Sequence, residues 1–299
     1  MRFRDFVLLL AGLFIFFAIA AVVFFPPHVS RMSFASKGCV GVISIEGEIT
    51  YGGGSFMSSQ ALSRDVVKQI KNAEEDSGVK AILVEINSPG GSSVASKEIY
   101  EAVKKTNKPS VAYLSEVAAS GGYYVASATD FIVSNPNAIT GSIGATATLL
   151  NYQELFGKIG LREETIKSGE LKDIGSGARN MTEKERLLLG EIINESFDRF
   201  RDDVLASRGN RLNRAAFNEI LDGRILSGTQ AQRIGLVDSL GVREDAIEKA
   251  GELAGIKNPD VCDMKPSRGL LDVLLGYSTE FVQGIISRLS SKRVGLRYE

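Results

Sequence analysis

The sequence predicts an α/β domain with a mainly parallel sheet, preceded by one transmembrane helix, and three observations carry that expectation. Short apolar runs at 39–45, 81–86, 110–114 and 131–133 alternate with segments of helical periodicity, which is the rhythm of βαβ units. Two of the strand-to-helix corners between them are built from glycine and other small residues. Residues 6–25 carry no charge over about the twenty positions a helix needs to cross a hydrocarbon core.

Taken in order, Arg2 and Arg4 precede the apolar segment, so the positive-inside rule leaves residues 1–5 as a short cytoplasmic end and puts everything after Pro26 on the extracytoplasmic, periplasmic side of the cell membrane. Ala18-Ile19-Ala20 resembles a cleavage site, but cutting there would leave Val22 to Phe25 as an exposed apolar terminus, so an uncleaved single-pass anchor is expected. Residues 26–37 form a polar, proline-bearing stalk, and the folded domain is placed at 38–260. Val40, Val42 and Ile43 mark its first strand, Gly52 to Ser55 a flexible loop, and Leu62, Val66, Ile70 and Ala73 recur at helical spacing before the strand at 81–86. A helix near 96–104, the strand at 110–114, a helix after Ser120 and the strand at 131–133 continue the pattern into a Gly/Thr-rich stretch ending at Thr148. Thr182 and Glu185 form a capping box. It opens a long amphipathic helix in which Leu189, Ile193, Phe197, Phe200 and Val204 trace one face, read as core. Helices near 214–221, 228–235 and 244–254 follow, and 261–299 is an amphipathic tail with a basic end, suited to a membrane surface, a neighbouring subunit or its own domain.

Composition excludes several functions. A formal net charge of -1 without long basic runs argues against a nucleic-acid partner. The one histidine, His28, lies in the stalk, so a Ser-His-Asp triad within the chain is not expected. Cys39 and Cys262 are the two cysteines; no zinc spacing can be built from them, one disulfide between them is possible, and no metal or cofactor is expected.

The corner at 115–124 places Ser120 where an apolar strand gives way to small residues. A hydroxyl there stands beside free backbone N–H groups, and Gly121 and Gly122 let a substrate backbone approach, so Ser120 reads as a nucleophile, although a helix merely capped by serine would look alike. Asn87-Ser88-Pro89-Gly90-Gly91-Ser92 forms a second strand-to-helix corner. Two such corners on neighbouring parallel strands face one point, as an oxyanion hole requires. The nucleophile needs a base, and without histidine the candidates are carboxylates and lysines, of which a lysine must be brought from about 10.4 down to roughly 7 to 8. Ser77 and Lys80 have the Ser-x-x-Lys spacing, but Gly78 intervenes and Lys80 opens a strand. Lys167 and Lys172 lie in a Gly/Ser-bearing loop ahead of a capped helix, and residue chemistry alone leaves both as candidates or as plain surface lysines.

Asn87-Ser88-Pro89-Gly90-Gly91, Ala118 to Tyr124, Thr140-Gly141-Ser142-Ile143-Gly144, Lys167-Ser168-Gly169, Lys172-Asp173, Arg179 to Thr182, Asp222-Gly223-Arg224 and Gly235 to Asp238 together resemble the signal peptide peptidase A family, in its short, single-copy form, over about 38–255. The resemblance implies repeated β-β-α units of the Clp-peptidase/crotonase fold and a serine endopeptidase that degrades remnant signal peptides and other apolar peptides at the membrane. By motif, Ser120 is the nucleophile, Lys172 the base, Ser142 the hydroxyl that orients the lysine, and Gly91 and Gly121 the oxyanion donors. It also implies a homo-oligomeric ring or dome in which Ser120 of one protomer meets Lys172 of another. Readings that compete are a stomatin-associated type of membrane protease, a crotonase-type thioester enzyme and a non-catalytic scaffold.

Overall fold

The computed structural model describes residues 38–52 and 60–264; the expected anchor, stalk and most of the tail lie outside them. The backbone of the domain is a parallel sheet whose strands are β1 (Cys39–Glu46), β4 (Val79–Ser88), β5 (Ser110–Ala119), β6 (Phe131–Ser134), β9 (Ser239–Leu240) and β10 (Asp260–Asp263), in the order β10-β1-β4-β5-β6-β9. The first strands are apolar almost throughout, as strands buried on both faces must be.

Because β1, β4, β5 and β6 advance in one direction, right-handed crossovers put their helices on one face. Those helices are α1 (Ser63–Glu75), α2 (Ser93–Lys104) and α3 (Gly121–Ser127). Val66, Ile70 and Ala73 of α1, Ala95 and Ile99 of α2 and Tyr123 of α3 bury into one core with Ile43, Ile86 and Leu114. Ala246 and Ala250 of α8 (Arg243–Leu253) close the opposite face over Val42, Leu83 and Val111.

Two short strands, β2 (Glu48–Thr50) and β3 (Gln60–Leu62), pair beside the main sheet. Strand β7 (Ile139–Gly141) extends the end of β5 and pairs antiparallel with β8 (Ile225–Ser227). The stretch between β7 and residue 182 holds one short helix, α4 (Gln153–Lys158). After it α5 (Glu183–Arg208) runs for 26 residues, opened by the predicted Thr182–Glu185 capping box. Two short helices follow, α6 (Arg214–Glu219) and α7 (Gly228–Arg233).

The sheet continues past the expected boundary at residue 260, since Cys39 to Val42 pair with Asp260 to Asp263. Cys39 and Cys262 are disulfide-bonded across that ladder, with Cα atoms 5.9 Å apart. The bond closes nearly the whole domain into one loop. Its chain-entropy contribution is of order 5 kcal/mol. Among the described residues no helix is long and apolar enough to cross a membrane.

Candidate active site

Strand β5 ends in Ala118 and Ala119, both buried, and the chain then turns sharply at Ser120, whose φ of 50° and ψ of −121° lie where a side chain with a Cβ is strained. Such a conformation costs roughly 1–3 kcal/mol and persists only where surroundings enforce it. Here the Ser120 N–H donates to the Gly141 carbonyl at 2.9 Å, and the Ser120 carbonyl accepts from the Tyr124 N–H at 2.9 Å. All of α3 is buried. Tyr123 donates its hydroxyl to the Leu236 carbonyl at 2.9 Å and Tyr124 donates to Asp203 of α5. Burial pushes both phenols well above their ordinary range; the Asp203 bond adds to this for Tyr124.

The second corner lies against the first. A Cβ on Gly90 would come within 2.6 Å of the Gly121 nitrogen and 2.8 Å of the Ser120 Cβ, so only glycine allows this approach. The Gly90 N–H donates to Ser88 Oγ at 3.1 Å and the Gly90 carbonyl accepts from Ile49 at 2.8 Å. In this parallel bridge to Ile49, the N–H of Gly91 points away from β2. Among the described residues the N–H groups of Gly91 and Gly121 have no recorded acceptor.

Ser142 follows Gly141 with a φ of 51°, and its N–H donates to the Arg224 carbonyl at 2.9 Å. Ser120 and Ser142 open into one cleft of about 470 Å³, walled by Ala145, Thr146, Ile193, Phe197 and Leu221, with Asn194 and Asp222 also lining it. Arg224 beside Asp222 holds that carboxyl down at about 2. The stripe on α5 therefore divides. Phe200 and Val204 are core as expected, whereas Ile193 and Phe197, read as core, are half-buried and line the cleft. A helical stripe reports only that a face is covered; it does not distinguish a core from a cleft wall.

The structure does not bring Lys172 to Ser120 within the chain. Lys172 is exposed and is not among the residues lining the cleft. Lys167 is otherwise engaged, donating to Asp173 Oδ1 at 2.6 Å and to the Glu170 carbonyl at 2.8 Å. Among the described residues the Lys172 ammonium makes no recorded ion pair or hydrogen bond. No group of three or more His, Cys, Asp and Glu side chains among them converges as a metal site.

A serine hydroxyl held on a strained strand-to-helix corner, with a second glycine corner packed against it, belongs to the serine-type hydrolases built on a parallel α/β sheet. The particular family is given by likeness to known proteins. Residues 102–257 match Peptidase family S49, about half of the chain, and the protein belongs to that family; residues 40–153 also match the NfeD1b N-terminal domain. A putative protease of Methanocaldococcus jannaschii is 37% identical over 76% of this chain and 74% of its own length. A putative signal peptide peptidase SppA of Enterococcus faecium is 34% identical over 85% of this chain and 75% of its own. Protease 4 of Haemophilus influenzae is 30% identical over 72% of this chain, which spans only 34% of it. A solved structure of a membrane-bound stomatin-specific protease covers 78% of the chain at 18% identity with a TM-score of 0.48. The protein is a serine-type peptidase of mixed α/β fold.

Proposed function

We propose that this peptidase is a membrane-anchored endopeptidase that cleaves apolar peptides, remnant signal peptides among them, with Ser120 as nucleophile and Lys172 of a second protomer as base. The observation that carries the reading is the Ser120 corner, strained, enforced and open to a cleft, with the Gly91 and Gly121 N–H groups unengaged beside it. A neutral Lys172 amine takes the Ser120 proton as Oγ attacks the peptide carbonyl. The oxyanion that forms accepts hydrogen bonds from Gly91 and Gly121, each worth roughly 3–4 kcal/mol in such sites. Collapse expels the amine, which leaves with the proton from Lys172, and water repeats the sequence on the acyl-enzyme. Ser142, on the same cleft, orients the lysine in this reading.

Lys172 is preferred to Lys167 because the Lys167 ammonium is already engaged by Asp173 and the Glu170 carbonyl, whereas among the described residues Lys172 has no such partner to leave. Its exposure in the single chain fits a base completed by a neighbouring copy in a homo-oligomer. The Cys39–Cys262 bond favours an oxidising compartment, in line with residues 6–25 acting as anchor and the domain lying outside the cytoplasm. Ile193, Phe197 and Leu221 on the cleft wall suit an apolar side chain of the substrate.

The test uses the full-length chain in detergent with a library of apolar peptides, products being read by mass spectrometry. Cleavage within peptides, blocked by a serine-directed fluorophosphonate that labels Ser120, is expected. No cleavage, or labelling at another serine, would reject the reading.

A further inference from the structure

Between residue 143 and the start of α5 the chain is mostly irregular and exposed, yet it contains one ordered polar cluster that takes no part in the chemistry above. Asp173, whose side chain is 12% exposed, accepts from Lys167 at 2.6 Å, from Arg179 Nε at 2.9 Å and from Arg179 Nη2 at 2.8 Å. The other edge of the Arg179 guanidinium donates to Glu185, with Nη1 to Oε2 at 2.8 Å. Glu185, 2% exposed, also accepts the Thr182 N–H at 2.9 Å and so belongs to the capping box of α5. Phe200, Val204 and the buried Arg208, which is paired with Asp238, fix the far end of that helix in the core. A continuous chain of contacts thus runs from the core through α5, Glu185 and Arg179 to Asp173. Asp173 is the residue next to Lys172.

The backbone around it is a series of tight turns, with Lys172 N–H donating to Gly169 O at 3.1 Å, Ile174 to Leu171 at 3.1 Å and Ser176 to Asp173 at 2.9 Å. With the Asp173 side chain clamped on one side, the backbone of the turn is held, and with it the place from which the Lys172 side chain extends. We infer that Arg179 and Asp173 are positioning residues for the base: the guanidinium fork ties the turn carrying Lys172 to the rigid start of α5. This rests on the reading of Lys172 as base. Two opposite-edge carboxylates on one planar guanidinium demand arginine, since a lysine ammonium has no fork to hold both in one plane. The carboxyls respond accordingly, Arg179 first and Lys167 next holding Asp173 far below its ordinary range. Misplacing a catalytic group by about 1 Å costs on the order of 100-fold.

The experiment is a double-mutant cycle on the full-length chain in detergent. Rates of peptide cleavage and of Ser120 labelling by a fluorophosphonate are measured for Arg179→Ala, Lys172→Ala and the two combined. Arg179→Ala should lower kcat roughly 100-fold with KM nearly unchanged. Arg179→Lys should recover only part of that, and Arg199→Ala, which removes an exposed ion pair of α5, should cost nothing. In the Lys172→Ala background Arg179→Ala should slow labelling no further, because a residue acting through the lysine has nothing left to position. Full kcat in Arg179→Ala, or equal further loss in both backgrounds, overturns the inference. If Arg179→Ala gives no cooperative melt, the near-isosteric Asp173→Asn takes its place with the same expectations. Wild-type activity in Lys172→Ala would instead sink the underlying assignment of the base.

Discussion

Around Ser120 every residue of α3 is buried, the strands beneath are covered on both faces, and two glycine corners touch; from residue 144 to 172 no residue is buried at all. Ile166 is 97% exposed and Leu150 79%, with Leu155, Ile159 and Leu161 exposed beside them in sequence. The sheet core completes the nucleophile's half of the site within one chain, and the strain at Ser120 is sustained by that core. The base's half is ordered instead by charge, through Asp173, Arg179 and Glu185, and leaves an apolar surface uncovered. On the proposed reading, the rigid half of the site lies inside the protomer and the other half is supplied by a second copy.

The largest effect should come from the rigid half. Ser120→Ala removes the nucleophile from a corner that alanine can occupy, so cleavage should fall by several orders of magnitude, to what binding and the oxyanion donors supply alone. The melting temperature should stay within a few degrees. Substantial residual turnover would break the comparison at its root.

Next comes the partner half. Lys172→Arg keeps the charge but cannot give up its proton, so it should be inactive. Lys167→Ala, which removes one of the clamps on Asp173, should cost much less. Ser120→Ala and Lys172→Ala chains, dissociated and reassembled together, should regain part of the activity, because some interfaces then pair an intact serine with an intact lysine. If differently tagged chains exchange and activity stays at background, Lys172 must reach Ser120 within its own chain.

A smaller change tests how closely the two corners meet. Gly90→Ala places a methyl where the Gly121 nitrogen and Ser120 Cβ already stand, at a φ of 102° that disfavours any side chain. Losing one oxyanion donor to the displacement should lower kcat by about 100-fold to 1,000-fold, in steady-state assays at unchanged KM. Gly157→Ala, at a site with open space, is the comparison and should be close to neutral.

Much of the rigid half was legible from the sequence because burial writes itself into composition. Runs such as 81–86 are apolar throughout, and Ala118 to Gly122 is a string of small residues that only a crowded corner needs. The cleft wall was not legible, since Ile193 and Phe197 share a helical stripe with the core residues Phe200 and Val204. Nor was β10, whose four residues are mostly exposed and carry no apolar run, or its disulfide, which joins residues 223 apart. The charge cluster was hidden for another reason. Lys167, Asp173 and Arg179 lie in irregular chain and Glu185 in the first turn of α5, each six residues from the next, a spacing that no helical or strand period brings together.

The smallest effect, and the one that separates the two halves by their physics, is the response to acid. Asp173 and Glu185 both release their protons more readily in the folded chain than in the unfolded one, where carboxyls titrate near 4. Arg179, and then the Thr182 N–H, holds Glu185 at about 2. A carboxyl with a lowered folded pKa contributes stability that is complete above its unfolded value and is lost as pH falls towards its folded one. The lysine loop should therefore loosen between about pH 4.5 and 2, while α3 carries no carboxylate of its own and is held chiefly by burial, with the Tyr124–Asp203 bond beside it. Pepsin is active across that range and reads the difference directly. Cuts should appear first between residues 144 and 182, with Tyr123 and Tyr124 protected until the whole domain melts. Simultaneous cutting in both regions would mean that the loop is held by the core rather than by its charges, and the division between the halves would be one of exposure alone.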